Sequence, residues 1–189
     1  VLSALLQARG RFGGKRIAAI DADSRELSYD DIIKAAFALG HALKQGTEPG
    51  EAVGILLPTG VGSIISFYAL KAACQACKCK RIVTARRFID LGELHALEAV
   101  LAEDHEIVYL EDVRENLTLR DKIAAGIGMV FPWAVRARPS PDAAGVYLFT
   151  SGTEGDPKGV VLSHANLLAN VEQVRDHVKI LPTDKVFNP

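Results

Sequence analysis

Apolar residues along this chain fall into two patterns, short continuous runs and longer stretches in which they recur at helical spacing. Two early runs predict strands over Ile17–Asp21 and Glu26–Tyr29, and the second strand can pair with the first. Three further strands are predicted over Val53–Leu57, Arg81–Thr84 and Ile107–Leu110. Because stretches with helical spacing separate the later strands, we expect strand-helix-strand units and a largely parallel sheet, that is, an α/β fold.

Helical spacing predicts helices between and around these strands. A short amphipathic helix over Val1–Ala8 ends before the glycines and arginines of Gly10–Arg16. Ser28 followed by Asp31 resembles a capping box, which indicates a helix start there. The remaining predicted helices cover Ile32–Leu43, Ile64–Ala72, Leu91–Leu101, Asp112–Ala125 as a helix or partly helical link, and Ala165–Lys179 with a buried stripe of Leu167, Val171, Val174 and Val178.

A polar loop separates two apolar runs near the end of the chain. Val146–Phe149 predicts a buried strand, and Val160–Leu162 is the apolar run that follows the loop. Residues 150–159 between them read Thr-Ser-Gly-Thr-Glu-Gly-Asp-Pro-Lys-Gly. Proline pushes the residue before it toward an extended conformation, so Pro157 favours a loop that returns into a strand rather than one that opens a helix.

The composition of this loop indicates polyphosphate binding. Glycines let the backbone approach a ligand closely, and successive N–H groups form a concavity for anions. Hydroxyl groups donate to phosphate oxygens, and a flexible ammonium is a suitable point charge. It is not the common P-loop, which needs glycine before its lysine and Ser or Thr after it. The candidate phosphate-binding residues are Thr150, Ser151, Gly152, Thr153, Glu154, Gly155 and Lys158.

Two alternatives to a binding site follow from the residues alone. The loop can be a glycine-rich hairpin turn with a solvated lysine, since such loops also occur without a ligand. Ser163 and His164 fit the start of a helix better than a catalytic role. The other histidines are scattered and are interpreted as solvated or satisfied; they are His41, His95, His105 and His177.

Composition excludes several classes of protein. The chain has 189 residues with a formal net charge of -1, which gives no electrostatic footprint for nucleic acid. Its apolar runs are too short for a membrane span, and no signal peptide is recognised. Cys74, Cys77 and Cys79 fall together, but a fourth metal ligand is missing nearby and the count is odd. We therefore expect reduced thiols of a cytoplasmic protein and no metal site.

The loop and the residues after it resemble the phosphate-loop signature of the adenylate-forming superfamily. The resemblance covers Thr150–Gly159, continued by Val160–His164 and Asn166. This superfamily includes acyl-CoA synthetases, luciferases and peptide-synthetase adenylation domains. The resemblance implies ATP- and Mg²⁺-dependent activation of a carboxylate to an acyl-adenylate, followed by transfer to a thiol. Glu154 departs from the hydroxyl residue that most members carry at that position.

Shorter stretches resemble one branch, the acyl-acyl carrier protein synthetase domain of bifunctional 2-acylglycerophosphoethanolamine acyltransferases. This resemblance implies a fatty acid substrate, acyl carrier protein or CoA as acceptor, and a possible contact with lysophospholipid at the inner face of the cell membrane. The stretches are Phe12–Lys15, Gly54–Pro58, Arg86–Asp90, Val108–Asp112 and Leu168–Gln173.

By this resemblance the chain is the N-terminal part of the large domain of an adenylate-forming enzyme. Residues 1–137 are expected to form its first α/β part, and residues 138–189 the phosphate-loop hairpin and the helix after it. The elements for adenine, ribose and the adenylation lysine come later in the family, so this part holds no catalytic residue and is expected to be inactive alone. The alternatives are an acyl-CoA synthetase, another adenylating enzyme, or a non-catalytic nucleotide-binding module.

Two further stretches leave alternatives open. Family members carry a further loop and a buried strand where Ala73 here runs directly into Cys74. Either that segment is deleted or the sequence joins its two sides, and we favour the second. Ile127–Val135 concentrates Phe131 and Trp133 around a proline. We expect a loop packed on the core of its own domain, and the alternative is a patch at a membrane interface.

Overall fold

The computed structural model divides the chain into two compact units. Unit 1 comprises Val1–Pro49 and Val113–Arg138, and unit 2 comprises Gly50–Asp112 and Pro139–Pro189. The described residues are 2–20, 26–45, 47–48, 51–57, 79–135, 140–150, 158–179, 181 and 184. The predicted helix over Ile64–Ala72 and the junction at Ala73–Cys74 lie outside them. The domain boundary predicted between residues 137 and 138 stays a prediction.

Helices and strands alternate along most of the described chain. In chain order they are helix α1 (Leu2–Phe12), strands β1 (Ile17–Ile20) and β2 (Glu26–Ser28), helix α2 (Tyr29–Lys44), strands β3 (Val53–Ile55) and β4 (Arg81–Thr84), helices α3 (Arg86–Leu91) and α4 (His95–Ala102), strand β5 (Glu106–Tyr109), helices α5 (Leu110–Glu115), α6 (Leu119–Val130) and α7 (Pro132–Val135), strands β6 (Ala144–Thr150) and β7 (Lys158–Ser163), and helix α8 (His164–His177).

The predicted parallel sheet is present in unit 2, where the strands lie in the order β3-β4-β5. Arg81 at the start of β4 is opposite both Val53 of β3 and Glu106 of β5. Ile82 in the central strand packs with Leu97 and Leu101 of α4 in a buried apolar cluster that also contains Cys79. β1 pairs with β2, and β6 with β7, as antiparallel pairs. The predicted α/β class is therefore confirmed.

Unit 1 is organised by the packing of α6 against α2. The Ser28–Asp31 capping box predicted for α2 is confirmed, since the Ser28 hydroxyl accepts from the Asp31 N–H at 3.2 Å. Ile33 of α2 and Ala125 of α6 are buried. Gly128 of α6 lies against the Phe37 ring so closely that an added Cβ would be 2.5 Å from Phe37 Cγ. A side chain at residue 128 would therefore force the two helices apart.

Two helix boundaries predicted from the sequence are wrong. α1 continues through Gly10 to Phe12 and ends where Gly13 adopts a positive φ of 90°. Glycine is unfavourable inside a helix, and no close contact requires it at residue 10, because nothing lies within 4 Å of the position its Cβ would take. The helix expected over Leu91–Leu101 starts only at His95 as α4, since Leu91 is the last residue of α3 and Glu93 turns at a φ of 51°.

The stretch over Ile127–Val135 is helical except at Phe131, so the expectation of a loop packed on the core is wrong. Ile127 lies in α6, and a separate short helix, α7, starts at Pro132. Proline is compatible with the first position of a helix, where its missing N–H would have no intrahelical partner. The side chains of Phe131 and Trp133 are exposed rather than buried. In the described part of the chain, no helix is both long enough and apolar enough to cross a membrane.

The predicted burial of β6 and α8 is also wrong. Tyr147 and Leu148 of β6 are about half exposed, because β6 pairs with β7 alone in a two-stranded sheet. Along α8, Leu167 is half-buried against the hairpin, but the other residues of the expected stripe are exposed; they are Val171, Val174 and Val178. The apolar periodicity predicted the helix correctly, but it did not show whether another element would cover the apolar stripe.

Candidate phosphate-binding hairpin

The candidate loop joins two paired strands, as the sequence predicts. β6 and β7 run antiparallel, and their last paired positions are Thr150 and Lys158. Phe149 is opposite Gly159 and Leu148 is opposite Val160, so the register is regular up to the loop. The expectation that the chain returns into a strand rather than opening a helix is confirmed. The pairing holds the two ends of the loop side by side.

The structure places two of the seven candidate residues, and only by their backbones. Thr150 is the last residue of β6 and Lys158 is the first residue of β7, and their side chains lie outside the described part of the structure. Their proximity follows from the strand register. The other five candidates lie outside the described residues; they are Ser151, Gly152, Thr153, Glu154 and Gly155. Their phosphate-binding role stays a prediction.

Helix α8 starts directly after β7, and a backbone hydrogen bond connects its first residue to the residue before β6. The backbone N–H of His164 donates to the Ala143 carbonyl at 3.2 Å. Ser163 and Asn166 form a capping box, in which the Ser163 hydroxyl accepts from the Asn166 N–H at 3.2 Å and the Asn166 side chain accepts from the Ser163 N–H at 3.0 Å. The prediction that Ser163 and His164 are helix-entry residues is confirmed. Gly145 allows this approach, because a Cβ there would lie 3.2 Å from His164 Nδ1.

A shallow groove runs beside the hairpin, between β7 and α8. Its volume is about 350 Å³. It combines apolar side chains with three amides, and none of its lining residues is titratable at ordinary pH. The groove can therefore offer packing and hydrogen bonds but no acid-base chemistry. Its lining residues are Leu162, Asn166, Leu167, Ala169, Asn170 and Gln173.

A second polar cluster, not anticipated from the sequence, lies at the carboxyl end of the parallel sheet. Arg86 follows β4 and its guanidinium lies 3.8 Å from the centre of the Tyr109 ring at the end of β5. The same guanidinium donates to Asp112 Oδ2 at 2.6 Å, which raises the pKa of Arg86. The Tyr109 hydroxyl donates to Glu98, and chiefly this bond raises the pKa of Tyr109. Neighbouring parallel strands end at the same edge of a sheet, so the strand pattern could have predicted that Arg86 and Tyr109 lie close together.

The same edge contains a carboxylate that caps a helix from another element. α3 begins after Ala85, whose side chain cannot cap it. Burial tends to raise the pKa of Glu111, but backbone N–H groups of Glu111, Arg86 and Arg87 outweigh it, and the pKa is lowered. Glu111 thus satisfies N–H groups at the start of α3 that a local cap would otherwise bind. We interpret this edge as a structural network of ion pairs and hydrogen bonds.

No metal site is formed among the described residues. Within those ranges no group of three or more His, Cys, Asp or Glu side chains could hold a metal ion. Cys79 is a buried free thiol in the apolar cluster of unit 2, while Cys74 and Cys77 lie outside the described residues. Three of the scattered histidines have hydrogen-bond partners, as expected: His41 on Asp121, His105 on the Cys79 carbonyl and His177 on the Gln173 carbonyl.

Comparison with solved structures shows that the fold is a known one. The complex of VinN with 3-methylaspartate superposes with a TM-score of 0.73 and 14% sequence identity. The match covers 97% of this chain and 53% of the VinN chain. The chain therefore has the fold of part of the VinN chain.

The sequence then identifies the family. The family model described as AMP-binding enzyme matches residues 6–189, and the chain belongs to this family. The Dapdiamide synthesis protein DdaD of Enterobacter agglomerans is 27% identical over 177 residues, which cover 90% of this chain and 27% of that protein. The Long-chain-fatty-acid–CoA ligase 1 of Schizosaccharomyces pombe is 26% identical over 190 residues, covering 82% of this chain and 27% of that protein. The chain spans about a quarter of the length of these curated relatives.

Proposed function

We propose that the intact protein activates a fatty acid with ATP, forming an acyl-adenylate, and transfers the acyl group to the thiol of acyl carrier protein or CoA. The observation that carries this proposal is the hairpin, in which Thr150 and Lys158 are paired across the strands at the two ends of the candidate loop. Membership in the AMP-binding enzyme family supports adenylate formation. The short stretches that resemble acyl-acyl carrier protein synthetases support the fatty acid as the carboxylate.

In the proposed reaction a carboxylate oxygen of the fatty acid attacks the α-phosphorus of ATP. The bond from this phosphorus to the bridging oxygen breaks, and pyrophosphate leaves with the electron pair. A thiol then attacks the acyl carbon, and AMP leaves. Charge develops on phosphate oxygens throughout the first step, so positioned donors and cations stabilise its transition state.

The loop residues fit the chemistry of a bound polyphosphate. We assign the hydroxyl and N–H groups of Thr150, Ser151 and Thr153 as donors to the β- and γ-phosphates, and Gly152 and Gly155 as positions that allow the loop its shape. The ammonium of Lys158 would neutralise the leaving pyrophosphate. None of these groups is assigned as nucleophile or general base. No ligand of Mg²⁺ is assigned within this chain.

The carboxylate substrate is the finer part of the proposal and has competitors. The name of the fission yeast relative, a long-chain-fatty-acid–CoA ligase, favours a fatty acid. VinN, with the same fold, is solved with 3-methylaspartate, which is an amino acid. An amino acid substrate for this protein is therefore the second candidate, and a non-catalytic nucleotide-binding module is the third. We also propose, from the closer resemblance, that the intact protein meets lysophospholipid at a membrane surface.

Substrate-dependent exchange of pyrophosphate into ATP tests the proposal directly. The intact protein is incubated with ATP, Mg²⁺ and labelled pyrophosphate, with either fatty acids of graded length or amino acids that include 3-methylaspartate. We expect exchange with fatty acids and none with amino acids. Exchange with amino acids alone would replace the substrate, and absence of exchange with every carboxylate would favour the non-catalytic module. Acyl carrier protein and CoA are then compared as acceptors of the labelled acyl group.

A further inference from the structure

Helix α6 is apolar on two opposite faces, and the described residues of unit 1 cover only one of them. The covered face packs on α2, through Ala125, Gly128 against Phe37, and Asp121, which is 2% exposed and bonded to His41 at 2.7 Å. These contacts fix the rotation of α6 about its axis. The residues on the opposite side of the helix must therefore point away from α2.

The opposite face carries a continuous apolar stripe. Leu119, Ile123, Ile127 and Val130 are spaced by four, four and three residues, so they lie on one side of the helix. All four are exposed, with Leu119 at 73% and Val130 at 63%. We call this stripe the outward face of α6. A surface helix of a soluble domain usually exposes its polar side to water, whereas the outward face of α6 exposes an apolar stripe.

Charged residues on α6 are sorted by sign between the two faces. Its one carboxylate, Asp121, lies on the covered face. Its two cations, Arg120 and Lys122, are exposed, and the 100° step of the helix puts one on each side of the outward face. Long basic side chains in these positions can lie along apolar surface and place their charges at its borders. The outward face is therefore apolar in the middle and only positive at its edges.

Two exposed aromatic side chains follow just beyond the end of α6. Phe131 follows the helix directly and is 54% exposed, and Trp133 in α7 is 61% exposed. Large aromatic residues next to an apolar stripe with cations at its borders are typical of helices that lie in the boundary between lipid headgroups and acyl chains. A helix of 12 residues is about 18 Å long, well below the roughly 30 Å of a bilayer core. Such a helix can lie on a membrane but cannot span it.

We infer that the outward face of α6 binds the surface of an anionic lipid bilayer. The apolar stripe would enter the boundary of the acyl chains, while Arg120 and Lys122 meet lipid phosphates. This inference extends the membrane part of the proposed function, although lipid binding itself does not require adenylation. It assigns the contact to residues 119–130 first, with Phe131 and Trp133 as an extension of the same surface.

Vesicle sedimentation of the intact protein tests this inference. Vesicles of phosphatidylcholine alone are compared with vesicles of equal parts phosphatidylcholine and phosphatidylglycerol. We expect binding to the anionic vesicles, and a partition coefficient about tenfold or more lower for the Ile123→Ser, Ile127→Ser double variant, because two branched side chains no longer enter the lipid. The matched control is Ile55→Ser, Leu91→Ser, which removes two exposed apolar side chains of unit 2 and should bind like the wild type.

Charge reversal separates the electrostatic contribution from the apolar one. Arg120→Glu, Lys122→Glu should abolish the preference for anionic vesicles, since each cation near such a surface strengthens binding roughly fivefold. Lys34→Glu, Lys179→Glu makes the same change in net charge on α2 and just after α8, and should keep the preference. Circular dichroism checks that all variants fold. Pyrophosphate exchange with a short, water-soluble fatty acid should be equal in all of them.

Three results would overturn the inference. The first is that the wild type does not bind anionic vesicles, and the second is that the α6 variants bind as well as their controls. The third is a wild-type dimer in light scattering that Ile123→Ser, Ile127→Ser dissociates, because the outward face would then be an interface between two copies. Failure of the proposed function is distinguishable, since it appears as absent pyrophosphate exchange whether or not the protein binds lipid.

Discussion

Lys158 is the residue on which the proposed phosphate site depends most. It is the one cation in the sequence from Thr150 to Gly159, and it occupies the first position of β7, paired with Thr150 of β6. An ammonium there carries a full positive charge that can neutralise the charge accumulating on departing pyrophosphate. The hydroxyl and N–H donors of the loop carry no net charge and can only form hydrogen bonds to its oxygens. The site therefore combines several weak donors with one full charge.

Replacing Lys158 by alanine in the intact protein should slow adenylate formation by about ten- to a thousandfold, because a charged contact to the transition state is lost. Pyrophosphate exchange measures this effect. Lys179→Ala, which removes an exposed lysine just after α8, is the matched control and should exchange at the wild-type rate. Wild-type exchange by the Lys158 variant would contradict the phosphate assignment.

Two glycines of α6 provide a second comparison at the scale of single residues. A Cβ at Gly128 would lie 2.5 Å from Phe37 Cγ, while nothing lies within 4 Å of the position a Cβ would take at Gly126. We expect Gly128→Ala to lower the free energy of unfolding by about 1–3 kcal/mol through overpacking. Gly126→Ala should raise it by up to about 1 kcal/mol, because alanine favours the helix.

Urea denaturation followed by circular dichroism measures both free energies. The two substitutions are chemically identical and lie two residues apart, so helix propensity alone predicts the same sign for both. Equal effects would show that the Gly128–Phe37 contact does not limit the packing of α2 and α6.

At the scale of elements, three helices begin with the same device. Capping boxes join Ser28 with Asp31 in α2, Thr118 with Asp121 in α6, and Ser163 with Asn166 in α8. The box of α6 also connects two helices, because Asp121 Oδ1 meets His41 Nδ1 of α2 at 2.7 Å. The same carboxylate thus starts one helix and holds it against another.

This double role predicts a pH dependence of stability. Hydrogen bonds from Thr118, then the contact with His41, lower the pKa of Asp121 from 3.8 to about 2. Since the folded pKa lies below the unfolded one, the carboxylate stabilises the fold above pH 3.8, and this contribution is lost as the pH falls from 3.8 through about 2. Asp121→Asn should be less stable at neutral pH, and the difference from the wild type should shrink over that range.

Thermal unfolding at a series of pH values measures the difference. Asparagine keeps the helix start, as Asn166 does in α8, so the variant tests the charge rather than the cap. Asp142→Asn, at an exposed carboxylate before β6, is the control and should show no such convergence. A constant difference between Asp121→Asn and the wild type at every pH would contradict the assignment.

At the scale of the whole molecule, the chain covers only part of its relatives. It matches 53% of the VinN chain and 27% of each of the two curated relatives. In the family that the phosphate loop resembles, the elements for adenine, ribose and the adenylation lysine follow this region. We therefore expect a complete adenylation site to use residues beyond those of this chain.

The 189-residue chain alone should consequently give no pyrophosphate exchange with ATP, Mg²⁺ and any fatty acid of the panel. The intact protein, assayed under the same conditions, is the positive control. Circular dichroism establishes that the isolated chain is folded before the assay is interpreted. Robust exchange by the isolated chain would contradict the expectation that adenylation needs the later elements.

Patterns contained within a few residues were sufficient for much of the fold. The strand over Arg81–Thr84, the parallel sheet, the pairing of the first two strands and the box at Ser28 were all predicted. The loop was recognised because its candidate phosphate-binding residues lie within ten consecutive positions. The break between α3 and α4 was missed, because an apolar period can continue through a turn, here the one in which Glu93 adopts a positive φ.

The amino-acid sequence by itself predicted where most helices and strands lie and which loop is the candidate for phosphate binding, since propensity, periodicity and turn residues act locally. Only the tertiary structure decided which apolar faces are covered. The stripe of Val171, Val174 and Val178 is exposed although its spacing predicts burial, and α6 buries a carboxylate while exposing Ile123. Whether an apolar face is buried depends on which element packs against it, and the local sequence of a helix or strand does not specify that element.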